Sequence, residues 1–220
     1  MEHLSVTKTD AGFHIEGFPD AVKVIRMDGP QSKRLADFAL HKADLEFAAE
    51  CLEEINHVSD KSRVLQQALW RAAIIHYMKC FGDSGARFQL SAKKIYKGNA
   101  LALTAFNYFK DLRNKHFVHD ENSYAQSIPG AVLNRRDKPY KIEKIVCFSA
   151  IAETLGQDNY SNLYLLIQTT KTWVEGEFDA LCQALTKELE AKSYDDLYSL
   201  EAITYKAAAI DEINKNRDAP

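Results

Sequence analysis

The sequence predicts a mainly α-helical fold, an up-and-down bundle of about five helices with a small β-hairpin insertion and an N-terminal β arm. Three observations predict it. Apolar residues recur every three or four positions through most of 31–112 and again through 163–189, which is the period of a helix with one buried face. Alternation of the kind a strand shows is confined to a few short stretches. Glycine, proline and asparagine gather between the periodic segments, and the connections they leave are short enough for neighbouring helices to run antiparallel.

In residues 1–30, the apolar clusters Phe13-His14-Ile15 and Val22-Lys23-Val24-Ile25 are separated by Gly17 and Pro19 and closed by Gly29-Pro30, as in a small hairpin or extended arm. From Gln31 to Val58, Leu35, Phe38, Ala39, Ala49, Leu52 and Ile55 mark a long first helix, its stripe widened by Ala43, Phe47 and Cys51. Ser59-Asp60 offers capping oxygens for a second helix. That helix carries Val64, Leu65, Ala68, Leu69, Ala72, Ile75 and Met78 on its apolar face and packs antiparallel to the first. A glycine-containing loop and a short turn around Ala92–Tyr96 lead to a third helix from Asn99, faced by Ala102, Ala105, Phe106, Phe109 and Leu112. Pro129-Gly130 and Asp137-Lys138-Pro139 break the pattern, and Lys141–Phe148 alternates, so 125–150 reads as an inserted hairpin. Leu163, Leu166, Ile167, Trp173, Val174, Phe178, Leu181, Leu185 and Leu189 define a fourth long helix. Leu197 through Ile213 suggests a last one, which brings the C-terminal helices to 160–214 of a single 1–220 domain.

The 220 residues include 28 basic and 31 acidic side chains, a formal net charge of −3, so nucleic-acid contact has to come from a local patch and a general coating protein is disfavoured. The four cysteines form no CxxC pair and read as small buried hydrophobes rather than as a disulfide or metal set. No leader pattern opens the chain, and no run approaches the roughly 20 apolar residues of a membrane span, so a soluble cytoplasmic protein is expected. Neither His-x-x-x-His nor a carboxylate cluster at ligand spacing occurs, so no metal and no cofactor are expected.

Chemistry concentrates where the third helix leaves its apolar stripe, in Arg113-Asn114-Lys115-His116-Phe117-Val118-His119. An arginine fork grips phosphate oxygens, and an imidazole moves protons near neutral pH. Together they are parts for phosphodiester chemistry without a metal. The same residues also suit a charged helix C-terminus, where cations complement the macrodipole and bond the last carbonyls. On an ideal helix, positions six apart diverge by about 240°, so Arg113 and His119 meet only if the last turn tightens or the helix ends at Val118. His116, three residues on from Arg113, shares its face in a regular helix and is a secondary candidate. A second basic run contains Arg135, Arg136, Lys138, Tyr140 and Lys141. It would sit on the hairpin, either touching an RNA backbone with Tyr140 stacking on a base, or as a solvated turn.

The motif resembles that of the HEPN superfamily of helical-bundle proteins, which includes toxin and antiviral ribonucleases. Its signature is an Arg, a polar residue such as Asn, and a His after four to six intervening residues. Arg113, Asn114 and His119 fit with five, and the likeness extends over about 31–122. It implies a metal-independent endoribonuclease acting through a homodimer in which two motifs face each other. In that reading Arg113 is the electrostatic clamp, His119 the proton mover and Asn114 a positioning group. His116, Lys115, Arg135, Arg136 and Tyr140 are the expected RNA or phosphate contacts. RNA is the expected substrate and an antitoxin protein a further partner, with neither DNA nor a membrane expected. The competing expectation is a HEPN-like module that binds a nucleotide or a partner without cutting, since static binding needs the Arg and the amide but no titrating His.

Overall fold

The computed structural model describes residues 6–9, 12–15, 17–59, 62–83, 85–119, 121–204 and 209–213, the first two of these segments by backbone alone. The chain is mainly helical and carries a small antiparallel hairpin. It divides into two compact units, one of residues 1–39, 85–87 and 176–220, the other of residues 40–84 and 88–175.

Gly29, with φ at 104°, turns the chain into Pro30, whose fixed φ suits a first helical position. From there α1 runs Pro30–Ile55. Helix α2 spans Arg63–Lys79 and starts from Ser62, whose side chain makes no capping bond; of the expected capping pair Ser59-Asp60, Asp60 lies outside the described residues. The short α3, Ala92–Ile95, precedes α4, Ala100–Leu112, which Asn99 caps by accepting from the Ala102 amide at 3.0 Å. Helix α5, Gln157–Glu190, is the longest element.

In the second unit these helices alternate in direction. His76 meets Asp44 while Cys80 reaches the His41 carbonyl, which sets α2 antiparallel to α1. Trp70 packs edge-on to Phe109 and Tyr77 to Phe106, so α4 reverses again. Tyr108 is bonded by Asn159, and Tyr96, just ahead of α4, by the Leu166–Thr170 turn of α5. Lys42–Glu175 and Tyr160–Leu52 contacts return α5 along α1. The core enclosed this way includes Leu45, Leu52, Trp70, Ile74, Tyr77, Phe109, Leu163 and Ile167, each no more than 1% exposed.

Two expected faces are corrected. Along α2, Val64, Leu65, Ala68 and Ile75 are exposed, and the buried face is Trp70, Ala73, Ile74, Tyr77 and Met78. The helix has two apolar stripes, and the aromatic one, with more area to remove from water, faces inward. Along α1, Ala43 and Phe47 are exposed. His41 and Asp44 lie inside instead, His41 with Nε2 2.9 Å from the Phe88 carbonyl and Asp44 accepting from His76.

The hairpin pairs β3, Ala125–Leu133, with β4, Ile142–Ile151, antiparallel, with a register shift between Val132 and Leu133. Most of its side chains are exposed, Ile128, Ile145, Phe148 and Cys147 among them, so Cys147 departs from the buried thiol expected of it.

In the first unit, β1, Val6–Thr9, pairs antiparallel with β2, Gly12–Ile15; the expected cluster Phe13–Ile15 lies in this hairpin, whereas Val22–Ile25 is not its partner strand. The last helix is shorter and earlier than expected: α6 spans Tyr194–Ser199, begun by Ser193, which accepts from the Asp196 amide at 3.1 Å. Ala202 then bridges Ile25, the Ile203 amide donates to the Val24 carbonyl, and the Arg26 amide donates to the Glu201 carbonyl. These backbone bonds to a distant segment override the helical spacing of Leu200 and Ile203, and among the described residues a 3-10 turn, Ile210–Glu212, follows. Ala207 of the expected stripe lies outside the described residues.

Candidate functional site

Helix α4 hands its axis to the motif without a break. Phe109 and Leu112 anchor its final turn in the core, and the next six residues, Arg113–Val118, form a π-helical turn closed by i→i+5 bonds. That is the opposite of the tightened turn considered from sequence: the turn widens, each residue advances by less than the α-helical step, and the helix then ends at Val118, the other condition considered. His119 leaves in extended conformation, with φ −133° and ψ 135°. The Glu121 amide closes the end on the Lys115 carbonyl at 2.9 Å. Arg71 of α2 lies over the Phe117 ring at 5.0 Å, and Tyr124 packs edge-on against His116 with ring centres 5.5 Å apart, so the turn is held from both sides.

These contacts sort the candidate residues. Arg113 is exposed, and its Nη1 donates to Oδ1 of the half-buried Asn114 at 2.8 Å, which fixes the guanidinium's direction. Both line a cleft of about 920 Å³ bounded by α2, the 89–93 segment and α4. His116 is 7% exposed and is packed between rings, so it serves the turn's packing rather than the cleft. Lys115 points elsewhere, 3.9 Å from Asp111 one turn back. His119 is exposed and lies outside the cleft lining. Arg135, Arg136 and Tyr140 are exposed at the hairpin's end, with Arg135 3.7 Å from Asp137, and are not brought to the cleft either.

Sequence reading missed two polar clusters. Asp44, buried on α1, accepts from His76 Nδ1 at 2.8 Å and from Lys79 Nζ at 2.9 Å, which places Lys79 at the cleft wall. The signal was an acid inside an apolar stripe, but its partners lie a helix away. Deeper in the core, Tyr77 and Tyr96 share a 2.5 Å hydroxyl contact, and Tyr96 also meets Thr170 at 2.6 Å. Burial pushes the Tyr96 hydroxyl up to about 12, and Tyr77 is raised by burial and by its neighbour Tyr96.

Among the described residues, no group of three or more His, Cys, Asp or Glu side chains is placed to hold a metal ion, and no helix is long and apolar enough to cross a membrane. No protein-family model, no curated protein and no solved structure matches the chain.

Proposed function

We propose that this chain is an endoribonuclease that cleaves RNA by transesterification, at a site to which two copies each bring Arg113, Asn114 and His119. The observation that carries this reading is the Asn114-oriented guanidinium of Arg113 at the end of an open cationic cleft, with His119 exposed one residue beyond the helix terminus. The resemblance of the motif to HEPN ribonucleases supports it, and a toxin or antiviral setting is part of that likeness. His119 of one copy takes the proton of a ribose 2′-hydroxyl as its oxygen attacks the adjacent phosphorus. The P–O5′ bond breaks, the second copy's His119 returns a proton to the leaving 5′-oxygen, and the products are a 2′,3′-cyclic phosphate and a 5′-hydroxyl. Arg113 neutralises the charge that builds on the equatorial oxygens.

A second reading is a phosphate-binding module that does not cut, and one observation favours it: neither His116 nor His119 lines the cleft of the single chain. Cleavage of a fluorogenic RNA in the presence of chelator, compared across wild type, Arg113→Ala and His119→Ala, separates the two. Cyclic-phosphate ends made by wild type and lost in both variants support the enzyme. Cleavage that persists in both variants, or that requires one divalent ion, overturns the proposed site.

A further inference from the structure

The cleft is wider in its chemistry than the motif that ends it. Along α4 and the first residue of the π-helical turn, Asn107, Lys110 and Arg113 follow one another at three-residue steps over about 9 Å of helix, and all three line the cleft. Lys93 faces the same space from α3, and Lys79 from the end of α2. Lys79 is compensated, because its ammonium is tied to the buried carboxylate of Asp44. Lys93, Lys110 and Arg113 have no carboxylate within 4.0 Å among the described residues, and Asp83 is the one acid of the lining. Three cations without counter-ions along one open groove repel each other, and a ligand bearing several spaced negative charges removes that repulsion. A compact anion would call for the charges to converge on a point; here Lys110 and Arg113 follow one another along the helix and Lys93 stands on a separate element. Between them the floor is apolar, with Ile75, Leu103 and Phe106, a surface against which an unstacked base or ribose can lie.

We infer that this cleft is the path of the single-stranded RNA flanking the cleaved linkage, and that Lys93 and Lys110 are phosphate contacts that deliver the strand to Arg113. The inference rests on the ribonuclease reading, since it takes RNA as the substrate, but it concerns binding and is measured without catalysis. Neutralising about three phosphates of a single strand gives a slope of log K against log salt concentration near −2, at about 0.7 per phosphate.

The experiment is fluorescence anisotropy with a 2′-O-methyl octauridylate, which cannot be cleaved, titrated at several salt concentrations with wild type, Lys93→Ala, Lys110→Ala and, as a control outside the cleft lining, Lys187→Ala. Lys93 and Lys110 are exposed, so their removal leaves the core intact. The expected result is a wild-type slope of about −2 that each of the two cleft variants reduces by about 0.7 while the control leaves it unchanged. Slopes unaltered by both cleft variants overturn the inference, as does uridine monophosphate binding as tightly as the octamer. Failure of the ribonuclease reading is distinct: a groove that binds with the expected slopes in a protein that cuts no RNA leaves the strand path along the cleft standing and removes the cleaved linkage and the enzyme. Arg113-dependent cleavage with unaltered slopes does the reverse.

Discussion

At the scale of single residues, the motif divides into side chains that hold the fold and side chains that face solvent, and the two groups respond differently to truncation. Phe109 is fully buried against Trp70, so Phe109→Ala should lower stability by roughly 3–5 kcal/mol in a chemical or thermal melt. Arg113 is exposed, and charges near a helix end contribute about 0.3–1 kcal/mol. Arg113→Ala should therefore melt within a few degrees of wild type while losing about 10²–10³ in cleavage rate, the usual cost of a missing oxyanion donor. Asn114→Ala should fall between, because it leaves the guanidinium in place but undirected. If Arg113→Ala melts as badly as Phe109→Ala, the motif is structural. A separate prediction follows from Tyr96. Its hydroxyl is held up to about 12 by burial, against about 10 in an unfolded chain. Between those values the unfolded chain releases a proton that the folded one retains, so stability is fully present below pH ~10 and falls, by a few kcal/mol, as pH rises toward ~12. Tyr96→Phe should flatten that part of a stability-versus-pH curve; an unchanged slope would remove Tyr96 as its source.

Between residues and molecule lie the elements, where local pattern and distant pairing compete. The stripe of α5 and the Phe38, Ala49, Leu52 and Ile55 positions of α1 were legible, because burial on one side of a long helix leaves a 3.6-residue period in the sequence, whereas the widening of α1's stripe through Ala43 and Phe47 was not. In α2 the period was legible and the phase was not, since Val64, Ala68 and Ile75 make a stripe as regular as the buried one and only the neighbouring helices choose between them. The π-helical turn leaves no compositional mark at all: Arg113–Val118 would read the same in an α-helix, and the widening shows only in the backbone. Arg113, Asn114 and His119 could be picked out, whereas the cleft that two of them join draws Lys79 and Lys93 from elements well separated from the motif in sequence. Residue-level chemistry was readable because it is local, and the assembly was not because it is tertiary. The hairpin illustrates the same division and gives a prediction. Ala125 pairs with Ile151, so the strand ends are adjacent, and none of the buried hydrophobic residues comes from β3 or β4. Replacing Gln126–Ala150 by a short Gly-Ser linker should leave the melting temperature within a few degrees, whereas a drop of ten degrees or more would show that the ribbon supports the bundle.

For the whole molecule, the question is how one short motif per chain makes a complete site. Cleavage needs a base on one side of the phosphorus and an acid on the other, and a single exposed His119 supplies one proton-transfer group. In the proposed two-copy site a second chain would supply the other, which requires an interface close to the motif. The second unit carries an apolar surface there: Val64 is 84% exposed and Leu65 47%, and the same stripe of α2 continues through Ala68 to Ile75, which itself lines the cleft that ends at Arg113. Solvent-facing apolar residues in a row on one helix are costly to leave in water and are typical of a surface that is covered in the assembled protein. A copy seated along this stripe would lie beside the cleft. The expected outcome is a dimer by light scattering at tens of micromolar, on the order of concentrations that populate a micromolar complex. Val64→Glu combined with Leu65→Glu should convert it to a monomer that keeps its melting transition, because both side chains already face solvent and no core contact is lost. RNA cleavage should be lost with the dimer and restored by neither added RNA nor higher salt. A wild type that stays monomeric, or a Val64→Glu, Leu65→Glu monomer that cuts at the wild-type rate, would show that one chain holds the whole site and would end the two-copy mechanism.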